Sequence, residues 1–226
     1  MKHSLAFSPR FAQRVGLVVL ILAGSALAGP PLICHPFDIG DAKSLPWTGS
    51  AWNLSGNQSY DTGNLVRDTI TILDANTPVI VHMETLRRAT LFAQKDPRAA
   101  KELLTRLHAR ATAGEDALAL FDLGYLAETY HQWLKGQDPA AGLDGYGFVK
   151  KALTLRGSDA EMELGAALIT LRGPHQDHLE HSQRAIAGAK ADALLASNLA
   201  SRFLGNERQT VADVLTRKTN FAGGEQ

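Results

Sequence analysis

The chain contains 226 residues, and its 23 lysine and arginine side chains balance 23 aspartate and glutamate side chains, giving a formal net charge of zero. This balance argues against the basic composition of nucleic-acid-binding proteins, so we expect no nucleic-acid partner. Aromatic residues make up only 7% of the chain, and abundant alanine and leucine favour helices over a β-sandwich or β-barrel.

The first 28 residues have the pattern of a cleaved secretory signal peptide. Basic side chains precede an apolar run over 15–23, and the segment contains no acidic side chain. Ala26-Leu27-Ala28 then gives the small-x-small pattern that a signal peptidase requires. We therefore expect cleavage after Ala28 and a secreted or periplasmic location.

Two other interpretations of this segment are a retained membrane anchor and a lipoprotein signal. An anchor requires about 20 apolar residues, whereas Val15 to Ala28 spans only 14. A lipoprotein signal requires a small residue directly before the cysteine, but Ile33 precedes Cys34. After signal removal, 20 basic and 23 acidic side chains remain, and we expect no stable membrane span.

Residues 29–63 differ from the rest of the chain and are predicted to form an extended arm. Prolines, glycines and asparagines are frequent there, and neither a period of 2 nor a period of 3.6 residues persists. The arm contains Trp47, Trp52 and Tyr60. A fully disordered tail seldom contains two tryptophans, so we expect these rings to pack along the helices or to dock on a partner.

Residues 64–226 are predicted to form an all-α domain. Thr77-Pro78 and Asp96-Pro97 are typical helix starts, and Ser158 with Glu161 matches a capping box. Short links between eight or nine helices favour antiparallel packing of neighbours. The predicted helices are 64–73, 78–94, 97–113, 115–135, 146–156, 158–172, 178–190, 192–204 and a short one near 209–217.

A faint internal repeat lies within these helices. A polar-polar-small-apolar motif recurs around Ala89, Ala152 and Ala185, which are 63 and 33 residues apart. Helix pairs at such a spacing bury their apolar faces by stacking on one another.

Several motifs resemble those of tetratricopeptide-repeat proteins over residues 117–204. Phe148–Leu155 is similar to the second helix of a repeat, and Ser158–Thr170 to the first helix of the next, with Ala167 as the small residue where helices cross. Leu123-Gly124 matches the Leu-Gly pair of the family, whereas Glu163 stands where the family has tryptophan. The resemblance implies stacked helix pairs and a surface that binds peptides or proteins. An irregular helical bundle remains the alternative.

Cys34 and His35 form the first candidate reactive group. A neighbouring imidazolium can lower the pKa of a thiol and favour the nucleophilic thiolate. Adjacent residues of an extended segment point to opposite sides, however, so a structural thiol is the alternative. Covalent haem attachment requires Cys-x-x-Cys-His, of which the chain contains only the last two residues.

His175, His178 and His181 form a candidate metal site. Histidines three residues apart lie on one side of a helix, so neighbouring members of this set could chelate a metal such as zinc. The alternative is a solvated helix face. Single histidines in other helices are predicted to be partly buried packing residues: His82, His108 and His131. The acidic side chains of the helix over 115–135 are predicted to form a polar stripe: Asp116, Asp122 and Glu128.

The sequence predicts an exported helical module for protein–protein interaction or assembly, with a protein or peptide partner. The chain has no Gly-x-Ser-x-Gly, His-Glu-x-x-His, phosphate-loop or dinucleotide motif. We therefore assign no catalytic residues and expect no cofactor. The alternative is an exported thiol- or metal-dependent enzyme that uses Cys34 and histidines of the helical body. Oligomeric state and pathway stay open.

Overall fold

The computed structural model describes residues 30–48, 54, 56–173 and 175–203 and confirms the all-α class. Within these residues it contains no β-strand, and none of its helices has the length and hydropathy needed to cross a membrane. The predicted signal peptide, Trp52 and the predicted helix near 209–217 lie outside the described residues. A 3₁₀ turn, Thr62–Asn64, precedes α1 Leu65–Ile72, α2 Val79–Ala93, α3 Pro97–Thr112, α4 Ala117–Trp133, α5 Gly145–Arg156, α6 Ala160–Thr170, α7 His175–Gly188 and α8 Ala193–Phe203.

Aspartate side chains begin five of these helices; at α8, Asp192 accepts the backbone N–H of Leu195 at 2.9 Å. Asp96, Asp116, Asp144 and Asp159 each accept hydrogen bonds from backbone N–H groups of the first turn, which satisfies donors that lack an intrahelical partner. The predicted Ser158–Glu161 capping box is wrong, because Asp159 takes the N-cap position of α6. Glu161 is thereby available to bond elsewhere.

Helix α2 lies at the centre of the domain. Fourteen of its 15 residues are buried, and it packs against α1, α3, α4 and α6. Its buried polar side chains include His82, Glu84 and Arg87. Because a buried polar group must find a partner to offset its lost hydration, these side chains determine where neighbouring segments lie.

The two helices of each consecutive pair, α4 with α5 and α6 with α7, pack closely on each other. Glycines permit this approach. A Cβ atom at Gly124 of α4 would lie 2.5 Å from the backbone oxygen of Gly145 in α5, and Gly188 of α7 lies directly against Ala160 of α6. A larger residue at Gly124 would therefore separate the first pair.

The first described stretch of the arm, residues 30–48, packs into the core without forming a helix or strand. Leu32, Phe37 and Leu45 are buried members of the main apolar cluster. At α8, the Asn198 side chain exchanges two hydrogen bonds with the backbone of Asp38, at 3.0 and 2.8 Å. The arm therefore joins the middle and the end of the described chain.

Candidate functional site

A buried ionic cluster on α2 attaches the arm to the helices. The Arg87 guanidinium donates two hydrogen bonds to the Glu84 carboxylate, at 2.8 and 3.0 Å, and both side chains are fully buried. Glu84 also accepts the backbone N–H of Phe37 at 2.9 Å, and Arg87 donates to the Ile33 carbonyl at 3.0 Å. Burial opposes ionisation of Glu84, but the hydrogen bonds and charge of Arg87 outweigh it and lower the pKa of this carboxyl.

Arg88 extends this cluster toward the end of the arm. Its guanidinium bonds Glu84 at 2.7 Å and the Leu45 carbonyl at 2.6 Å. The guanidinium carbons of Arg87 and Arg88 lie 5.1 and 5.7 Å from the centre of the Trp47 ring, within cation–π range. Two cations on one helix thus bind the arm through its backbone and its tryptophan.

Two of the three rings predicted to dock on a partner are in contact with the domain itself. Trp47 and Tyr60 both pack on Phe92 of α2, with ring centres 5.7 and 4.6 Å apart. The Tyr60 hydroxyl donates to Asp68 at 2.9 Å. Docking by Trp47, Trp52 and Tyr60 stays a prediction, and Trp52 lies outside the described residues.

Cys34 and His35 are both half-buried in the arm. Burial raises the pKa of the Cys34 thiol, and the opposing charges of Arg87 and Arg172 do not cancel this effect. The thiol therefore remains protonated at neutral pH, which does not favour a nucleophilic role. The reactive-thiol hypothesis stays a prediction.

The three histidines predicted to bind a metal all lie in α7. His178 Nδ1 donates to the Ala167 carbonyl at 2.8 Å, and His181 Nδ1 contacts the Glu163 carboxylate at 2.5 Å. The side chain of His175 lies outside the described part of the structure. Among the described residues, no group of three or more histidine, cysteine or acidic side chains has a metal-binding arrangement.

His181 belongs to a polar cluster that joins α5, α6 and α7 beside a pocket of about 570 Å³. Tyr146 contacts His181 Nε2 at 2.8 Å and donates to Asp177 at 3.0 Å, while Arg184 pairs with Glu163 at 2.7 Å. These polar groups satisfy one another, so the cluster mainly connects helices.

A second histidine–carboxylate pair, His82 with Asp122, is fully enclosed between α2 and α4. The distance from His82 Nδ1 to Asp122 Oδ1 is 2.7 Å, and both side chains have zero exposure. His82 Nε2 lies 3.1 Å from the carbonyl oxygen of Asp74, which follows α1. Asp122 is therefore not part of an exposed polar stripe, as the sequence suggested, but part of the core.

His131 has the same arrangement at the end of α4. Its Nδ1 lies 2.6 Å from the Asp138 carboxylate and its Nε2 lies 3.1 Å from the Leu143 carbonyl. The pair thereby fixes the link between α4 and α5. Of the histidines predicted to be partly buried, His82 is buried and His131 half-buried, whereas the prediction for His108 is wrong because it is exposed.

A groove of about 920 Å³ lies between α1 and α3. Small and branched apolar residues contribute to its lining, with Val66 and Ile70 on α1 and Ala99, Ala109 and Ala113 on or just after α3. Ala109 and Ala113 are exposed. Because alanine has a short side chain, these positions allow another backbone to approach closely.

The charges that line this groove are unequal, although the whole chain is neutral. Four arginines face two acidic residues, namely Arg67, Arg98, Arg106 and Arg110 against Asp96 and Glu102. Arg110 donates through Nη2 to the Leu73 carbonyl at 3.1 Å. Its Nη1 is buried and has no hydrogen-bond partner among the described residues. Arg67 also pairs with Asp68 at 2.9 Å, and Arg106 lies 3.7 Å from Glu102. The lining thus combines apolar surface with more arginines than acidic residues.

Sequence reasoning did not predict this groove, because its two walls come from helices separated along the chain. The four-residue spacing of Arg98, Glu102, Arg106 and Arg110 was nevertheless present in the sequence and places these side chains on one face of α3.

Comparison of the chain with protein-family models, curated proteins and solved structures found no match.

Proposed function

We propose that this chain is a protein-interaction module whose groove between α1 and α3 binds an acidic amphipathic helix of a partner protein. The excess of arginines along the groove is the observation that carries the proposal. Carboxylates pair with arginine in charge-assisted hydrogen bonds, which are stronger than those between neutral groups. A partner with carboxylates on the flanks of an apolar face therefore complements the groove in charge.

The shape of the groove favours a helix as the bound segment. Its walls are two helices, and the exposed side chains of Ala109 and Ala113 leave room for a third helix to pack between them. Arg98 and Arg106 lie two turns apart along α3, about 12 Å at a rise of 1.5 Å per residue. Glutamates two turns apart on a partner helix have the same spacing.

Binding of a designed probe tests the proposal. The probe is a fluorescent alanine- and leucine-based helical peptide with glutamates two turns apart, and its control carries glutamine at those positions. We expect anisotropy titrations to show binding of the glutamate peptide and at least about tenfold weaker binding of the glutamine peptide.

Charge reversal on α3 identifies the surface. Arg106 is 67% exposed, so Arg106→Glu should preserve the fold and weaken binding of the glutamate peptide. Lys101 is exposed on the same helix but does not line the groove, and Lys101→Glu changes the net charge equally. Equal effects of the two variants would contradict a groove site. Absence of peptide binding would also contradict it, and is the result expected if residues 204–226 or a second copy of the chain fill the groove.

Export and a tetratricopeptide-like arrangement are parts of the same proposal. The signal-peptide pattern of residues 1–28 supports export, and the α4/α5 and α6/α7 pairs support stacked helix pairs. Expression of the full chain in a bacterial host followed by N-terminal sequencing tests export. The expected first residue is Gly29, and an intact N-terminus in the cytoplasmic fraction would contradict this part.

A further inference from the structure

We propose that the His82–Asp122 pair regulates the groove between α1 and α3 by proton binding: the α1 wall is held in its binding position while the pair retains a shared proton, and is released as the pH rises. This inference rests on the proposed function of the groove for its effect on binding. Its effect on folding does not depend on any partner.

The hydrogen-bond geometry of His82 requires an additional proton. A carbonyl oxygen can only accept, so Nε2, 3.1 Å from the Asp74 carbonyl, must carry a hydrogen. Nδ1 lies 2.7 Å from the Asp122 carboxyl, and a second hydrogen must lie between these two atoms. With a single ring hydrogen and an ionised Asp122, only one of the two contacts could be a hydrogen bond, and in the other the lone pairs of nitrogen and oxygen would face each other.

Charged groups act on the pair from α3 and from the start of α4, and a further acidic group contacts the first turn of α2. From α3, the charge of Arg110 acts on both Asp122 and Asp74, and at the start of α4 the charge of Asp116 acts on Asp122. From α6, Glu161 accepts the backbone N–H of Ile80 at 3.0 Å. Burial raises the pKa of Asp122 although His82 and Arg110 oppose this, so proton retention by the pair is favoured.

The same contacts reach the groove through the chain that follows α1. His82 holds the carbonyl of Asp74, and Arg110, which lines the groove, holds the carbonyl of the preceding residue, Leu73. Together they fix the end of α1, and α1 supplies one wall. Loss of the shared proton breaks the first of these two attachments and leaves the wall held only by Arg110 and by packing.

The direction of the pH effect follows from proton counting. A histidine in an unfolded chain loses its proton near pH 6.5. Above that pH the folded pair must therefore take up a proton, so the folded state binds more protons than the unfolded state. Its contribution to stability is complete below about pH 6.5 and declines as the pH rises, while arginine and ordinary carboxylates keep their charges.

Asp122→Asn is the decisive variant because it supplies the missing hydrogen permanently. The amide can donate to Nδ1 of a neutral His82, while Nε2–H still donates to the Asp74 carbonyl. Asp138→Asn makes the equivalent change in the His131 pair, which is not attached to the groove, and serves as the matched control.

The experiment combines two readouts between pH 6 and pH 9. Urea unfolding is expected to show that the wild type takes up more protons on folding than D122N does. The free energy of unfolding should therefore fall more steeply with pH in the wild type. Affinity for the glutamate helix peptide is expected to fall over the same range in the wild type and in D138N, but to stay constant in D122N.

The outcomes separate this inference from the proposed function. Identical pH profiles of wild type and D122N in both readouts would overturn it, as would constant peptide affinity in the wild type. Failure of the peptide to bind at any pH would instead overturn the proposed function and the regulation built on it, whereas the urea experiment would still report whether the pair takes up a proton. If D122N does not fold, nuclear magnetic resonance of the His82 ring in the wild type decides: a neutral ring together with an ionised Asp122 at pH 6 contradicts the inference.

Discussion

The carboxyl group of Glu161 in α6 lies close enough to that of Asp192, just before α8, for Asp192 to raise the pKa of Glu161. Two neighbouring ionised carboxylates repel each other, so this arrangement favours the protonated form of Glu161. Burial is the main cause that raises the pKa of Glu161 to about 7, and the negative charge of Asp192 adds to it, whereas the Ile80 N–H opposes the shift. The neighbouring carboxyl groups of α6 and the start of α8 therefore repel each other once Glu161 loses its proton.

We expect Glu161→Gln to make the domain more stable at pH 8 and nearly unchanged at pH 4.5. The pKa of Glu161 is raised from 4.5 to about 7 on folding, so its favourable contribution is complete below pH 4.5 and is lost as the pH rises through 7. Glutamine does not titrate and can still donate to Asp192. Thermal unfolding at both pH values measures the effect, with exposed Glu102→Gln as the control; a gain of equal size at pH 4.5 and pH 8 would contradict the assignment.

Loss of the Arg87 side chain is expected to be strongly destabilising. Arg87→Ala leaves Glu84 buried without its main partner and removes the bond to the Ile33 carbonyl, which costs about 3–5 kcal/mol for a broken buried pair. Arg106→Ala, at an exposed position, should change the free energy of unfolding by less than about 0.5 kcal/mol. Urea denaturation compares the two variants, and similar small losses would show that the arm is not anchored by this cluster.

His131 should titrate above the range of an ordinary histidine. Burial lowers the pKa of its ring. The hydrogen bonds to Asp138 and to the Leu143 carbonyl raise the pKa by more than burial lowers it, so the net pKa is raised. The pair's contribution to stability is therefore present below about pH 6.5 and is lost as the pH rises through the folded pKa. Nuclear magnetic resonance titration of the ring protons measures the pKa directly. Asp138→Asn should return it toward its usual value, and an unchanged pKa in that variant would exclude Asp138 as the cause.

Cys34 should react slowly with iodoacetamide in the folded protein. Burial raises the pKa of its thiol, and alkylation requires the thiolate. At pH 7.5 we expect a rate well below that of a short peptide containing the same residues, and recovery of the peptide rate in urea. Mass spectrometry follows the reaction; alkylation as fast as in the peptide would support the thiol-enzyme hypothesis instead.

The sequence predicted the helical class and most helix starts because these depend on local signals. Asp96 followed by Pro97 satisfies the first donors of α3 through contacts within three residues, so its effect is visible without tertiary information. Ser158 failed as a cap because the neighbouring Asp159 competes for the same N–H groups. Local rules identify that a helix begins here, but not which of two polar neighbours caps it.

The candidate site could not be predicted in the same way. His82 and Asp122 are 40 residues apart, and only the packing of α2 on α4 brings them together. Similarly, Arg67 of α1 and Arg106 of α3 face one groove because their helices are neighbours in space. A charge at either position resembles an ordinary solvated residue until the opposite wall is known.

The hydrogen bonds between Asp38 and Asn198 join residues 160 positions apart. A contact of this separation closes a very long loop, and its entropic cost must be met before the contact contributes. The arm is synthesised before all eight described α-helices, yet its partner Asn198 lies in α8, the last of them. During synthesis, the α2 cluster that receives the arm can form earlier, but the bond to α8 cannot form until α1 to α7 and Asn198 have left the ribosome.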